Sequence, residues 1–255
     1  LLTGRAVVPS ETEQADYFRR VAQAFPGQPV VVRTFDLGGD KFPAAFEAPL
    51  EANPFLGWRS IRVCLDHPEI FRPQLRAVLR AAVGRDLRIM LPLITRVDEV
   101  LRVREMVGEE RAALRAAGEP VGERIPIGVM IETPAAVILA DRLATVSDFF
   151  SVGTNDLTQY TLCVDRGNAR LADRFRTEDP AILRQLRTVQ QAASAAGIPV
   201  SICGEMASEP LSAVLLMGLG FVELSVAPPA LPLLKLIVRS VPAAAAEAAA
   251  ARALE

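Results

Sequence analysis

The residues of this chain best suited to chemistry are polar side chains that directly follow short apolar runs. Glu132 follows IGVMI, and Asn155 and Asp156 lie just beyond FFSVG. Mg²⁺ typically takes one or two carboxylates together with substrate oxygens and waters, so two carboxylates from neighbouring strand ends would suit it. Each carboxylate also has a simpler interpretation, because acidic and amide side chains are favoured at the start of a helix.

Basic side chains follow the same pattern. Arg33, Lys41, Arg59 and Arg166 are expected in loops or at strand ends, and guanidinium groups bind phosphate or carboxylate in a bidentate manner. The alternative for any one of them is a surface ion pair. We prefer that alternative for four arginines on predicted helices, namely Arg62, Arg72, Arg76 and Arg80.

Cys203 follows another apolar run and is either a small buried side chain or a group that gives or takes a proton beside the ligand. Cys64 and Cys163 lie within helical patterns and are predicted to be core residues. The single histidine, His67, precedes Pro68 and is expected to begin a helix without a catalytic part.

The elements that must position these residues form an alternating pattern of apolar runs and amphipathic stretches, which is typical of parallel βα units. The predicted strands are 30–35, 87–91, 127–131, 148–152, 200–203 and 221–225. The predicted helices include 67–83, 97–117, 134–143, 180–196 and 210–217. Since ligands bind at the carboxyl ends of parallel strands, a barrel and a doubly wound sheet both fit the pattern.

Composition and charge argue against a nucleic-acid-binding or membrane-spanning protein. The net charge of −2 from 28 basic and 30 acidic residues gives no reason to expect nucleic acid or an anionic membrane as a partner. Three scattered cysteines favour reduced thiols, and no apolar run is long enough to span a bilayer, so a soluble cytoplasmic protein is expected. The irregular connection 40–58 is long enough to be functional, and the Ala-rich tail 241–255 is predicted to be a helix or a frayed end.

Five motifs, in this order along the chain, resemble the phosphoenolpyruvate-binding domain of enzyme I of the bacterial sugar phosphotransferase system. They are RTFDLGGDK, NPFLGWRSIR, GVMIETPAA, SVGTNDLTQYTLCVDRGN and SICGEMA. The resemblance implies an α/β fold, a (β/α)8 TIM barrel of which residues 1–240 carry six βα units. It also predicts two further strands on the N-terminal side, the second ending in an arginine that contacts the phosphoryl group.

The same resemblance implies a role for each candidate residue. Glu132 and Asp156 would bind Mg²⁺, Arg59 would bind the carboxylate or enolate, and Cys203 would protonate the enolate of pyruvate. The phosphoryl group would be bound by Arg33, Lys41, Asn155 and Arg166. Trp58 and Met206 would line the pocket or simply pack.

In that family the phosphoryl group passes to a histidine on a separate N-terminal domain and then to the phosphocarrier protein HPr, the first step of sugar uptake. The chain by itself is therefore expected to bind phosphoenolpyruvate without completing the transfer, and a homodimer is expected. Two alternatives remain: a barrel domain of the pyruvate phosphate dikinase or phosphoenolpyruvate synthase type, and a non-catalytic dimerisation module with an apolar surface near 211–219.

Overall fold

The fold was taken from a computed structural model that describes residues 7–38 and 51–255. Lys41, Gly39, Asp40 and most of the connection 40–58 lie outside the described residues. Within them the strands are β1 (Val30–Arg33), β2 (Leu87–Leu91), β3 (Ile127–Ile131), β4 (Phe150–Val152), β5 (Val200–Ile202) and β6 (Glu223–Leu224). They are ordered as in the chain, and each registered pair is parallel.

Helices separate the strands, as the alternating pattern predicts. They are α1 (Glu11–Ala24), α2 (Ile61–Asp66), α3 (Pro68–Ala81), α4 (Val97–Ala116), α5 (Pro134–Ile138), α6 (Ala140–Ala144), α7 (Thr154–Leu162), α8 (Pro180–Ala196), α9 (Pro210–Gly218), α10 (Leu231–Ser240) and α11 (Ala243–Ala253). Short 3₁₀ turns cover Pro54–Leu56, Ala169–Arg174, Glu205–Ser208 and Pro228–Ala230.

The described residues divide into two compact units. The first comprises the residues up to Leu93 together with Asp98–Gly128, and the second comprises Ile94–Val97 together with Val129–Glu255. Strand β3 begins in the first unit and continues into the second.

In the first unit, β1 pairs with β2 so that Arg33 lies opposite Met90. Helix α1 begins with a capping box that the sequence analysis missed. The Ser10 hydroxyl accepts from the Glu13 N–H at 3.2 Å, and the Glu13 carboxylate accepts from the Ser10 N–H at 2.9 Å. The order Ser-x-x-Glu before an apolar pattern is the signal that would have found this helix.

Helix α8 shows why some bounds were predicted well. Asp179 caps its first turn by accepting from the Ala181 N–H at 2.8 Å, and Pro180 is the first helical residue. Gly197 ends it at a φ of 68°, the left-handed conformation that glycine adopts most easily.

Several predicted elements differ from those observed. The strands predicted at 30–35, 148–152, 200–203 and 221–225 are shorter, because hydrogen-bonded pairing covers only part of each apolar run. The helix predicted at 134–143 is two helices divided at Leu139, whose ψ of 13° is not helical. The tail is helical over Ala243–Ala253 and lies so close to α9 that a Cβ on Gly218 would be 2.8 Å from the Ala250 Cβ.

No single helix in the described part of the chain is long and apolar enough to cross a membrane. One bent pair, Pro228–Ser240 with Ala243–Ala253, reaches that length and composition, but its axes differ by 103°. The expected apolar surface near 211–219 is mostly internal, since Leu215, Leu216 and Leu219 are buried and Leu211 is exposed.

Candidate functional site

The second unit places Glu132, Gly153 and Cys203 at one level of its sheet. Met130, Ser151 and Ser201 are in register on β3, β4 and β5. Side chains alternate along a strand, so the residues two positions further on lie on the same face. The ladder extends to that level, because Gly153 N–H donates to Ile131 O at 3.1 Å and Cys203 N–H donates to Val152 O at 3.0 Å.

Glu132 lies against the start of α7. Its side chain is 4% exposed, and a Cβ on Gly153 would lie 2.7 Å from its Oε2 atom. A side chain at position 153 would therefore displace Glu132. Thr133 caps α5 as predicted, accepting from the Ala136 N–H at 3.1 Å.

Asp156 lies in the first turn of α7 and is 7% exposed. Its Oδ1 atom is 3.6 Å from Nη1 of Arg166, which is about one third exposed. The Arg166 backbone is held in turn by α7, because its N–H donates to the Gln159 side chain at 3.1 Å. The structure thus brings a predicted phosphoryl-binding arginine to a predicted metal ligand.

The loop after β5 docks on the same helix end. Glu205 N–H donates to the Asn155 Oδ1 atom at 3.2 Å. A Cβ on Gly204 would overlap the Thr154 hydroxyl and lie 2.8 Å from its backbone nitrogen. Cys203, which precedes this loop, is partly exposed, and its thiol donates to Val152 O at 3.4 Å.

The residues of this site fit Mg²⁺ by the chemistry of their donors. Two carboxylates are buried near the start of α7, Glu132 beside Gly153 and Asp156 in the first helical turn, and one or two carboxylates are what Mg²⁺ usually takes from a protein. Among residues 7–38 and 51–255, no group of three or more His, Cys, Asp or Glu side chains is close enough to hold a metal ion.

The first unit carries a separate cationic group at the end of β1. Arg59 is 4% exposed, and its Nη2 atom is 3.2 Å from the Asp36 Oδ1 atom. Arg33 is more exposed, with its Nη2 atom 3.8 Å from the Asp36 Oδ2 atom. Asp36 is therefore a residue that sequence reasoning missed, although it stands three positions after Arg33 in the motif RTFDLGGDK.

The helical arginines mostly follow their prediction as ion-pair residues. Arg72 pairs with Glu109 at 2.6 Å and with Glu110, and Arg76 pairs with Glu11 at 2.9 Å. Arg80 pairs with Glu119 at 2.6 Å. Arg62 is an exception, because it donates to the carbonyl oxygens of Leu56 and Gly57 at 3.0 and 2.7 Å.

Other predictions concern cysteine and packing residues. Cys64 is buried, and burial together with the nearby Asp36 carboxylate raises the pKa of its thiol to about 12. The prediction for Cys163 was wrong, since it is exposed and ends α7 at a φ of 54°. Met206 is buried, and the Trp58 indole donates to Asp66 at 2.7 Å. His67 stands between α2 and α3, with its Nδ1 atom 2.7 Å from Glu69.

Comparisons with known proteins agree with the motifs. Residues 1–243 match the family described as PEP-utilising enzyme, PEP-binding domain. The phosphoenolpyruvate-protein phosphotransferase of Staphylococcus carnosus is 44% identical over 240 residues, which are 94% of this chain and 42% of that protein. The proteins of the same name from Listeria monocytogenes and Bacillus subtilis are 46% and 45% identical over 225 residues, 88% of this chain. The chain thus spans about two fifths of the length of these relatives.

Solved structures share the fold at low sequence identity. A citrate lyase from Burkholderia xenovorans matches with a TM-score of 0.50 and 19% identity, covering 94% of this chain and 64% of that one. An aldolase/citrate lyase family protein from Burkholderia cenocepacia matches with a TM-score of 0.53 and 17% identity, covering 90% and 79%. These likenesses support the parallel α/β fold, and the eight-stranded barrel stays a prediction.

Proposed function

Because this chain belongs to the PEP-utilising enzymes, through their PEP-binding domain, we propose that it binds phosphoenolpyruvate and Mg²⁺ and supports phosphoryl transfer to a histidine. The observation that carries the proposal is the group at the start of α7. There Glu132 lies beside Gly153, and Asp156 pairs with Arg166. Asn155, next to Asp156 in the chain, accepts a hydrogen bond from the loop that follows Cys203. The relatives named above are phosphotransferases, which favours this activity over that of a dikinase or synthase.

The proposed ligand carries several negative charges, and the residues of the second unit suit it. Glu132 and Asp156 would hold Mg²⁺, which when bound neutralises charge on the carboxylate and phosphoryl oxygens of the ligand. Arg166 would bind the phosphoryl group from beside Asp156. Asn155 would add a donor through its amide nitrogen, since its amide oxygen accepts from the Glu205 N–H.

Three residues from the rest of the chain complete the proposed set. Arg33 and Lys41 would bind the phosphoryl group, and Arg59 would bind the carboxylate or enolate. For these residues the support is family membership and the motifs, together with the buried guanidinium of Arg59. Transfer of a phosphoryl group requires mainly positioning and neutralisation of charge, and cations at both ends of the ligand serve both needs.

Cys203 is the proposed proton donor. A histidine nitrogen bonds to phosphorus, the bond from phosphorus to the enol oxygen breaks, and the enolate of pyruvate then takes a proton at its methylene carbon. The Cys203 thiol would supply that proton and become a thiolate. Two observations support the assignment. Cys203 is partly exposed, and it lies at the same level of the sheet as Glu132.

Partners of the whole protein are also part of the proposal. The acceptor histidine would lie on a separate N-terminal domain and pass the phosphoryl group to HPr, in the cytoplasm, as the first step of sugar uptake. A homodimer is proposed as well. The exposed apolar side chains of α10 support an apolar contact surface in the second unit: Leu231, Leu233, Leu236 and Val238. Sedimentation over a range of concentrations tests the dimer, and a monomer throughout would contradict it.

Titration calorimetry of this chain with phosphoenolpyruvate, with and without Mg²⁺, tests the central claim. We expect binding that requires Mg²⁺ and falls by about 100-fold or more in Glu132→Gln, since even residues that only support metal ligands contribute 10- to 100-fold. Binding that is absent, or indifferent to Mg²⁺, would contradict the proposal.

The proton donor is tested in a longer polypeptide that contains the histidine domain. Cys203→Ala should slow pyruvate formation by about 10²- to 10⁴-fold, the usual contribution of a positioned acid. Cys163→Ala is the matched control, because that thiol is exposed at the other end of α7. Equal rates for the two variants would remove Cys203 from the mechanism.

A further inference from the structure

Asp36 lies between the two arginines of the first unit. Its side chain is 9% exposed, and its two oxygens face different guanidinium groups. Oδ1 is 3.2 Å from Nη2 of Arg59, and Oδ2 is 3.8 Å from Nη2 of Arg33. The Ser60 hydroxyl also donates to Oδ1. A single carboxylate therefore contacts two of the three arginines that are proposed to bind the ligand.

The backbone on either side of this contact is held by its own hydrogen bonds. Phe35 N–H donates to the buried Gln74 side chain at 3.0 Å, and Ser60 N–H donates to Leu37 O at 2.6 Å. Ser60 has a φ of 54° and a ψ of −123°, a sparsely populated conformation for a residue with a side chain. Such a conformation persists only where the surroundings hold it, and the Leu37 and Asp36 contacts do so.

Arg59 needs a countercharge in this position. A guanidinium group that is 4% exposed has lost most of its hydration, and a buried charge is tolerated only when it is paired. The Phe55 ring, 5.6 Å from the Arg59 guanidinium carbon, adds a weaker attraction. Arg33 is about half exposed, so its longer contact with Asp36 orients it less strongly.

We propose that Asp36 is the positioning residue for the two arginines, holding Arg59 and Arg33 so that a ligand with both a carboxylate and a phosphoryl group meets both guanidinium groups at once. The ligand named here rests on the proposed function. The positioning role does not rest on that function, because it is argued from the contacts that Asp36 makes with Arg59, Arg33 and Ser60. Asp36 itself touches no ligand in this proposal, and it acts through the guanidinium groups.

Asp36→Asn tests the positioning role without any ligand, because it keeps the shape of the side chain and removes its charge. We expect the Arg59 Nε–H signal in nuclear magnetic resonance to exchange with solvent at least about tenfold faster than in the wild type. Asp86→Asn is the matched control, since Asp86 pairs with Arg88 in the same unit at 2.7 Å. An unchanged Arg59 signal in Asp36→Asn would overturn the proposal.

Calorimetry with two probes, phosphoenolpyruvate and inorganic phosphate, tests whether Asp36 affects ligand binding. Asp36→Asn should weaken binding of phosphoenolpyruvate with Mg²⁺ about tenfold and binding of inorganic phosphate less than about threefold, because phosphate does not require both arginines. In an Arg59→Gln background the same substitution should add little, since the two residues act as a unit. Unchanged affinity in Asp36→Asn, or an equal loss in Asp86→Asn, would overturn the proposal.

The test stays decisive if Asp36→Asn fails to fold or if the wild type fails to bind phosphoenolpyruvate. If Asp36→Asn does not fold, Ser60→Ala removes one donor to the carboxylate but keeps the charge, and it should give a smaller effect in the same direction. If the wild type fails to bind phosphoenolpyruvate, the proposed function fails. The exchange of the Arg59 signal then still supports or overturns the positioning role.

Discussion

The two units place their candidate residues by different means. In the second, the register of β3, β4 and β5 alone brings Glu132, Gly153 and Cys203 to one level. In the first, Arg59 is placed by a carboxylate 23 positions earlier in the chain. A backbone ladder therefore positions the Glu132 carboxylate and the Cys203 thiol, whereas a pair of opposite charges positions Arg59.

A close approach to glycine is common to both regions. Gly153 leaves room for Glu132, and Gly204 leaves room for Thr154. Gly38 does the same for Arg59, because a Cβ there would overlap the Arg59 Cβ and lie 3.0 Å from its Cα. In both units the absence of a side chain at a glycine allows a segment with candidate residues to pack closely.

Gly204→Ala should have the largest effect on stability. The new methyl group would overlap the Thr154 hydroxyl, so the loop must move away from α7, at a cost of about 1–3 kcal/mol in the free energy of unfolding. Denaturant unfolding measures the loss. Gly108→Ala is the control, because a Cβ there meets nothing within 4 Å and the position is helical. Equal stability of the two variants would mean that the loop does not depend on this contact.

Gly38→Ala should act mainly on the arginines. Displacing Arg59 from Asp36 is expected to weaken phosphoenolpyruvate binding about tenfold, which corresponds to about 1.4 kcal/mol. Calorimetry beside Gly108→Ala checks this expectation. If Gly38→Ala retains its affinity for phosphoenolpyruvate, Arg59 reaches its place without the close approach to Gly38. The two regions would then not differ in how they position their candidate residues.

Arg72→Gln should have the smallest effect and concerns only the scaffold of the first unit. Arg72 lowers the pKa of the Glu109 carboxyl below its ordinary value of 4.5, mainly through a hydrogen bond. A lowered folded-state pKa stabilises the protein above the unfolded value, and this contribution is lost as the pH falls through the folded value. The stability difference from the wild type should therefore be present at neutral pH and shrink below about pH 4.5.

Denaturant unfolding at several pH values measures that difference. Added salt should reduce it as well, because the Glu109 side chain is exposed. A difference that persists in acid would assign the effect to lost packing of the Arg72 stem and not to charge.

Sequence patterns predicted the parts of the fold that depend on local signals. Strands β2 and β3 have the predicted bounds, and α8 begins and ends at its capping residues. The prediction for Cys163 failed because it placed the residue inside a helical pattern, whereas α7 ends there in a left-handed conformation and the side chain is exposed. The capping box of α1 was readable and was overlooked.

The sequence by itself determined the family, the βα alternation and most of the candidate residues, since these depend on residue types placed after apolar runs. Only the tertiary structure showed that Arg166 pairs with Asp156, that Asn155 holds the loop after Cys203, and that Asp36 is the countercharge of Arg59. These contacts join residues up to 50 positions apart. The geometry of such contacts depends on how the elements pack, and no local pattern encodes it.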